Sequence, residues 1–288
     1  MTALPAEAVP AGAVPVTGKR ARRPWGVSAA AAFLLLVVLA AAFAPLIAPY
    51  APDAVDLSSS LAGTSGSHPL GTDASGQDLF SRVLHGARTS LIAPLLLLLL
   101  ASVLGVTLGT VAAWRGGWVD TLVSRITDVM YAFPGLLFVV LIIAVFGAGM
   151  TTSVVALGLA YAPTIAKYTR SVALAERSKA YIDAYRVQGM SGTRICVAHL
   201  VPNLARSVVG YLVVLFGESL MALATLSYLG FGAQPPSSDW GLMVQEGQAA
   251  IVQNALLPAL VPGTAIAAVV VAFNVVGVWA ADRLGARR

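Results

Sequence analysis

Residues 129–166 read VMYAFPGLLFVVLIIAVFGAGMTTSVVALGLAYAPTIA, 38 residues without one charged side chain. A bilayer core about 30 Å thick is crossed by roughly 20 residues rising about 1.5 Å each, so one unbroken helix here would reach roughly 57 Å. The stretch is therefore expected to fold as a hairpin. Its midpoint, Phe146-Gly147-Ala148-Gly149-Met150-Thr151-Thr152, supplies the turn chemistry, because glycine adopts backbone angles that a tight reversal needs. Working outward, four more apolar stretches are long enough to cross: residues 24–50, 89–114, the run after Arg206 interrupted only by Glu218, and 247–281. With the hairpin counted twice, the chain is expected to cross six times.

Composition agrees, since 58% of the 288 residues are hydrophobic and 11% charged, against roughly 25% charged in a soluble domain. The single cysteine, Cys196, excludes an internal disulfide framework, and His68, His85 and His199 lack metal-ligand spacing. The net charge of +5 is not arranged as the aromatic-interleaved stripe of a nucleic-acid binder. No nucleophile, base and orienter cluster appears, so no catalytic residue or metal ligand is assigned.

Charge placement tests the six crossings independently, because Lys and Arg stay on the cytoplasmic side of short loops. With Lys19-Arg20-Ala21-Arg22-Arg23 inside, every basic residue except Arg82 and Arg88 is cytoplasmic. Five crossings would export the seven basic residues of segment 167–206. The apolar run of the first segment outlasts a secretory signal's apolar core, so it is expected to remain as a crossing, with both termini cytoplasmic. Residues 1–24 are expected to be a disordered cytoplasmic terminus and 25–288 the membrane domain, with an outer loop at 51–88.

Segment 167–206 is the longest polar stretch assigned to the inside. Tyr181, Ile182, Ala184, Tyr185 and Val187 interleave with Asp183, Arg186 and Gln188, which suits a short helix with a mixed face ended by Gly189. A second short helix is expected at 193–199, with Pro202 opening the fifth crossing, where a missing amide donor costs little.

The run Tyr181-Ile-Asp-Ala-Tyr-Arg-Val-Gln-Gly189, then Arg194-Ile195 and His199-Leu-Val-Pro-Asn203, resembles the cytoplasmic loop of ATP-binding-cassette importer permeases. Asp183 stands where that family usually has Glu, and Tyr185 where it has Ala. Further stretches resemble the dipeptide, oligopeptide and nickel branch: His68-Pro-Leu-Gly-Thr-Asp73 with Gly76-Gln-Asp78, Asp128-Val-Met-Tyr-Ala-Phe-Pro134, and Leu226-Ser-Tyr-Leu-Gly-Phe-Gly-Ala-Gln-Pro-Pro236 with Asp239-Trp-Gly241. Gln77 and Val278-Trp279 depart from the branch's usual residues.

The resemblance implies an all-α membrane fold of six transmembrane helices, with a coupling helix between the fourth and fifth. It implies a permease subunit forming half of a path for short peptides across the plasma membrane, with nickel or another small solute as the alternative. A second homologous permease, two ATP-binding subunits and an extracytoplasmic solute-binding protein would be its partners. The ATPase contact would be Tyr181, Asp183, Ala184, Tyr185 and Gly189, with Arg186 as a charged rim; packing of both tyrosines on the chain's own helix ends is the competing reading. Pro235, Pro236, Asp239 and Trp240 would meet the binding protein, with interfacial anchoring as the alternative there.

No Gly-x-x-x-x-Gly-Lys-Ser/Thr cradle occurs, so energy must come from outside the chain, with ATP and Mg on partner subunits. A self-sufficient secondary transporter is disfavoured by the lack of an internal repeat or a relay of membrane charges.

Glu218 is the one ionisable residue deep in an expected crossing. Either it lines the pathway and meets a cationic substrate end, or it is a protonated or hydrogen-bonded structural residue. Asp78 and Arg82, four apart, suit a short interfacial helix. Gly105 and Gly109 are expected to let helices approach closely, and Pro134, Pro163, Pro258 and Pro262 to bend or break theirs.

Overall fold

The computed structural model describes residues 24–285; the expectation of disorder up to residue 23 lies outside them. Every regular segment of the described residues is helical. The order is α1 (Pro24–Ala42), its one-turn continuation α2 (Ala44–Ile47), a largely irregular segment 48–78 with one 3-10 turn at Leu57–Ser59, α3 (Leu79–Arg115), α4 (Gly117–Ala132), α5 (Gly135–Phe146), α6 (Met150–Arg177), α7 (Ala180–Val187), α8 (Gly192–Ile195), a π turn at Cys196–Leu200, α9 (Val201–Tyr228), α10 (Trp240–Ile251) and α11 (Leu257–Gly285).

Four of these are long and apolar enough to cross a membrane: α1, α3, the rod Gly192–Tyr228 that runs through α8 and α9, and α11. The pair α4 and α5, bent by 86°, makes a fifth if taken as one span. The reversal expected within 129–166 is present: Gly147 and Gly149 hold φ of 90° and 157°, and the Gly149 amide donates to the Phe231 carbonyl at 3.0 Å. The limb before it is broken earlier. Pro134 keeps Phe133 extended, at φ −85° and ψ 130°, because its ring clashes with a helical predecessor. Helix α5 has only 12 residues, roughly 18 Å, too short to cross alone.

The centre of the bundle is α3 against α6. A Cβ on Gly105 would lie 2.7 Å from Ile165 Cβ, and one on Gly109 2.5 Å from the Ala166 carbonyl oxygen. The two glycines therefore set this helix separation, as their spacing led us to expect. Leu97, Ala101, Ala156, Ile165, Leu220 and Leu226 fill the core around the seam. On the opposite side of α3, Ile92, Leu95, Leu96, Leu99 and Val103 are exposed at helical spacing, an apolar face suited to a hydrocarbon surrounding.

Two local expectations are corrected. The interfacial helix expected around Asp78 and Arg82 is the first part of α3, which runs 37 residues without a break. Asp78 caps it by accepting from the Ser81 amide at 2.8 Å, and Arg82 turns to other partners. The helix expected at 193–199 is not separate, because α8 continues through the π turn into α9. In that turn the Val201 amide reaches back to the Cys196 carbonyl. The wider turn precedes Pro202, which has no amide of its own to contribute. Among the other prolines, Pro163 and Pro262 lie inside continuous helices, and Pro258 lies in the first turn of α11.

Candidate functional site

Helix α7 lies at the end of the bundle where α3 finishes. Its N-terminal approach is tied down by Arg177, which donates to the Ala113 carbonyl at 2.7 Å and so satisfies an end-of-helix acceptor of α3. Its C-terminus is closed by Gly189 at φ 77°. The Gly189 amide donates to the Arg186 carbonyl at 2.9 Å and the Met190 amide to the Tyr185 carbonyl at 3.0 Å, the paired bonds of a Schellman ending. A Cβ at Gly189 would meet nothing within 4 Å.

Three side chains hold the back of α7. Ile182 is fully buried. The Tyr181 hydroxyl donates to Glu176 Oε1 at 3.0 Å and accepts from Asn203 Nδ2 at 3.2 Å. Burial pushes this hydroxyl above the ordinary tyrosine range, with Glu176 adding to the rise and the Asn203 bond opposing it, so it stays a neutral donor. Tyr185 stacks on His199 with ring centroids 4.1 Å apart. The two halves of the loop motif thus hold each other, His199 and Asn203 gripping Tyr185 and Tyr181. Ile182, Glu176, His199 and Asn203 were not singled out as site residues from sequence; all but Glu176 stood in the quoted motif, where the pairing of His199 and Asn203 with the tyrosines was the missing signal.

The other face of α7 is open. Asp183, Ala184, Arg186 and Gly189 are exposed, and Val187 is 89% exposed. Asp183 accepts from Arg186 at 2.9 Å, and the Arg186 guanidinium lies 5.9 Å from the Trp114 ring centroid. Of the sequence-predicted contact residues, Tyr181 and Tyr185 face the chain itself and the other four face outward.

Glu218, on α9, lines a cavity of about 650 Å³ together with Tyr131 and Phe133 of the α4–α5 bend, Tyr161 of α6, and Met221 and Ala222 one turn further along α9. Glu218 is exposed to this space. Two ion pairs fix the wall formed by α4 against α6: Arg170 to Asp120 at 2.6 Å and Lys167 to Asp128 at 2.8 Å. The Tyr131 hydroxyl donates to Thr164 at 2.8 Å, with the Lys167 ammonium 4.2 Å from its ring centroid.

At the opposite end, Asp239 caps α10 by accepting from the Gly241 and Leu242 amides and takes a bond from the Ser90 hydroxyl at 2.8 Å. Trp240 is 2% exposed, and its indole donates to the Val83 carbonyl at 3.0 Å. Both residues staple α10 to α3. Arg82, 3% exposed, joins Asp73 of the irregular segment to Glu246 of α10 at 2.8 Å. Of the four residues read from sequence as binding-protein contacts, the exposed ones are Pro235 and Pro236. Among the described residues no group of three or more His, Cys, Asp or Glu could hold a metal ion.

Comparison with known proteins matches residues 105–288 to the family described as "Binding-protein-dependent transport system inner membrane component", and residues 19–63 to "N-terminal TM domain of oligopeptide transport permease C". The glutathione transport system permease protein GsiD of Pectobacterium atrosepticum is 37% identical over 89% of this chain and 85% of its own length. The dipeptide transport system permease protein DppC of Alkalihalophilus pseudofirmus is 35% identical over 86% of this chain and 81% of its own. In fold, the chain is similar to a chain of the MetNI methionine ABC transporter solved in inward-facing conformations, with a TM-score of 0.58, 17% identity, and coverage of 70% of this chain and 96% of that one. The apolar helical bundle and the match over most of its length lead to one assignment: this chain belongs to the binding-protein-dependent transport system inner membrane components, the multi-pass membrane permeases of ATP-binding-cassette importers.

Proposed function

We propose that the chain forms one half of the membrane path of an ATP-driven importer of short peptides and that α7 is the lever by which partner ATPases move it. The relatives named for glutathione and dipeptide transport support the substrate class. In this reading six segments cross: α1, α3, the bent pair α4–α5, α6, the α8–α9 rod and α11. Helix α6, with 28 residues, is long enough for the purpose. Both termini and α7 then lie in the cytoplasm, while segment 48–78 and the α9–α10 connection face outside and Pro235 and Pro236 meet the binding protein. A second, homologous permease completes the path, and two partner subunits carry ATP and Mg.

The observation that carries this reading is the construction of α7. A helix clamped from behind by Tyr181, Ile182 and Tyr185, with Asp183, Ala184 and Val187 open in front, suits insertion into a groove on another subunit. Because the clamp reaches Glu176 at the end of α6 and Asn203 at the start of α9, a displacement of α7 is passed to two crossings together, the rigid-body motion that alternating access requires.

The test is purification of the assembled transporter from native membrane. Two ATP-hydrolysing chains are expected to copurify, and Ala184→Arg is expected to release them while the permease stays helical and membrane-inserted. Recovery of a transport-active homodimer with no ATPase would overturn the reading.

A further inference from the structure

We propose that the Glu218 cavity is a recognition site for a free ammonium group, so that the path itself selects peptides with an unblocked N-terminus. The inference rests on the reading of this chain as a pathway half and deepens it.

A carboxylate inside a membrane domain is costly and persists where something compensates its charge. Glu218 is exposed to the cavity, and no basic side chain lines that space among the described residues. The basic groups nearest along α6 are already committed, Lys167 to Asp128 and Arg170 to Asp120. The compensating cation is therefore left to come from the cavity's occupant.

The rest of the lining suits an ammonium rather than a metal ion. Tyr161 contributes an aromatic ring, and the ring of Tyr131 already holds one ammonium, that of Lys167, 4.2 Å from its centroid. Aromatic faces attract a cation through the ring quadrupole, whereas a divalent ion would demand several further oxygen or nitrogen ligands. The volume of about 650 Å³ is in the range that encloses a small organic molecule. With one carboxylate and no basic residue in its lining, and with Lys167 already paired to Asp128, the site attracts the N-terminal end of a peptide and repels its C-terminal carboxylate. A bound peptide would thus be held by its amino end.

The experiment uses the assembled transporter without its binding protein, so that selection by that protein does not enter. The chain's one cysteine is removed by Cys196→Ser, and Ala222→Cys, four residues from Glu218 on the same helix, places a thiol on the cavity wall. The rate of its modification by a maleimide is measured with L-alanyl-L-alanine and with L-lactoyl-L-alanine, in which a hydroxyl replaces the ammonium. The dipeptide is expected to slow modification about tenfold and the hydroxyl analogue to leave it nearly unchanged. Glu218→Gln is expected to remove the protection and Glu218→Asp to keep part of it.

Equal protection by both compounds, protection by neither, or protection that survives Glu218→Gln overturns the proposal. Uptake after complete modification, measured with the binding protein restored, separates it from the reading beneath. Blocked uptake keeps the cavity in the path even if ammonium selection fails, and undiminished uptake removes both.

Discussion

Arg82, Asp73 and Asp239 at the loop end of the bundle are each more than nine-tenths buried and partnered within the chain. Asp183 and Arg186 at the α7 end are exposed and pair with each other, with the Arg186 guanidinium over the Trp114 ring. The two regions lie at opposite ends of α3, roughly 55 Å apart by its 37 residues, and both carry motif-like polar sequence. At the loop end that sequence is a folding device: one guanidinium and one capping carboxylate join segment 48–78, α3 and α10 into a rigid cap. At the α7 end the same residue types are surplus to folding, because aromatic and aliphatic side chains already hold the helix. A polar motif marks a contact surface only where apolar groups behind it have taken over its positioning.

The strongest way to break this contrast is to remove the buried cation. Arg82→Met leaves Asp73 and Glu246 without their partner and is expected to cost about 3–5 kcal/mol, seen as a fall in the thermal unfolding midpoint in detergent. Arg186→Met, at the exposed end, is expected to stay within about 0.5 kcal/mol. Equal melting of the two variants would erase the distinction between the ends.

Next in size is Ile182→Ala, which opens a void behind α7 and is expected to cost about 2–4 kcal/mol. The loss should be local, so amide hydrogen exchange should quicken across residues 181–188 and stay unchanged in α3. Global destabilisation with an unaltered α7 would show that the helix is not held from behind.

Gly189→Ala is expected to cost about 1–2 kcal/mol, since its φ of 77° is unfavourable for a residue with a Cβ, although the space around it is open. Fraying of the last turn of α7, read from exchange at Gly189 and Met190, would sharpen the picture of a lever with a fixed stop. Unchanged exchange would mean that the turn relaxes without strain.

Val187→Asp is the smallest in stability, within about 0.5 kcal/mol, and tests function instead. A charge at this 89% exposed position should cut stimulation of the partner ATPase at least about tenfold, because burying it unpaired in a groove is costly. Unaltered stimulation would take the contact face away from Val187.

The hairpin at residues 147–149, the close approach at Gly105 and Gly109, and the end of α7 at Gly189 were all legible from sequence, because each rests on what glycine permits to a backbone. The break at Pro134 was foreseen as possible but not its 86° consequence, which depends on how α4 is drawn onto α6 by Asp120, Asp128, Arg170 and Lys167. At the candidate site, the exposed half of α7 followed from its mixed pattern. The inward turn of Tyr181 and Tyr185 did not, since an aromatic in an amphipathic helix serves the chain's own packing or a partner's groove equally well in sequence. The fates of Asp239 and Trp240 were hidden for a similar reason: their partners Ser90 and Val83 lie some 150 residues earlier.

By itself the sequence determined that this chain lives in a bilayer, how its long apolar runs divide, and where its backbone can turn, since these depend on hydrocarbon thickness and local sterics. Only the tertiary structure decided which polar groups are used up inside the chain and which remain free. That division is set by pairings between distant helices, and no local pattern encodes whether a charge will find its partner within the same molecule.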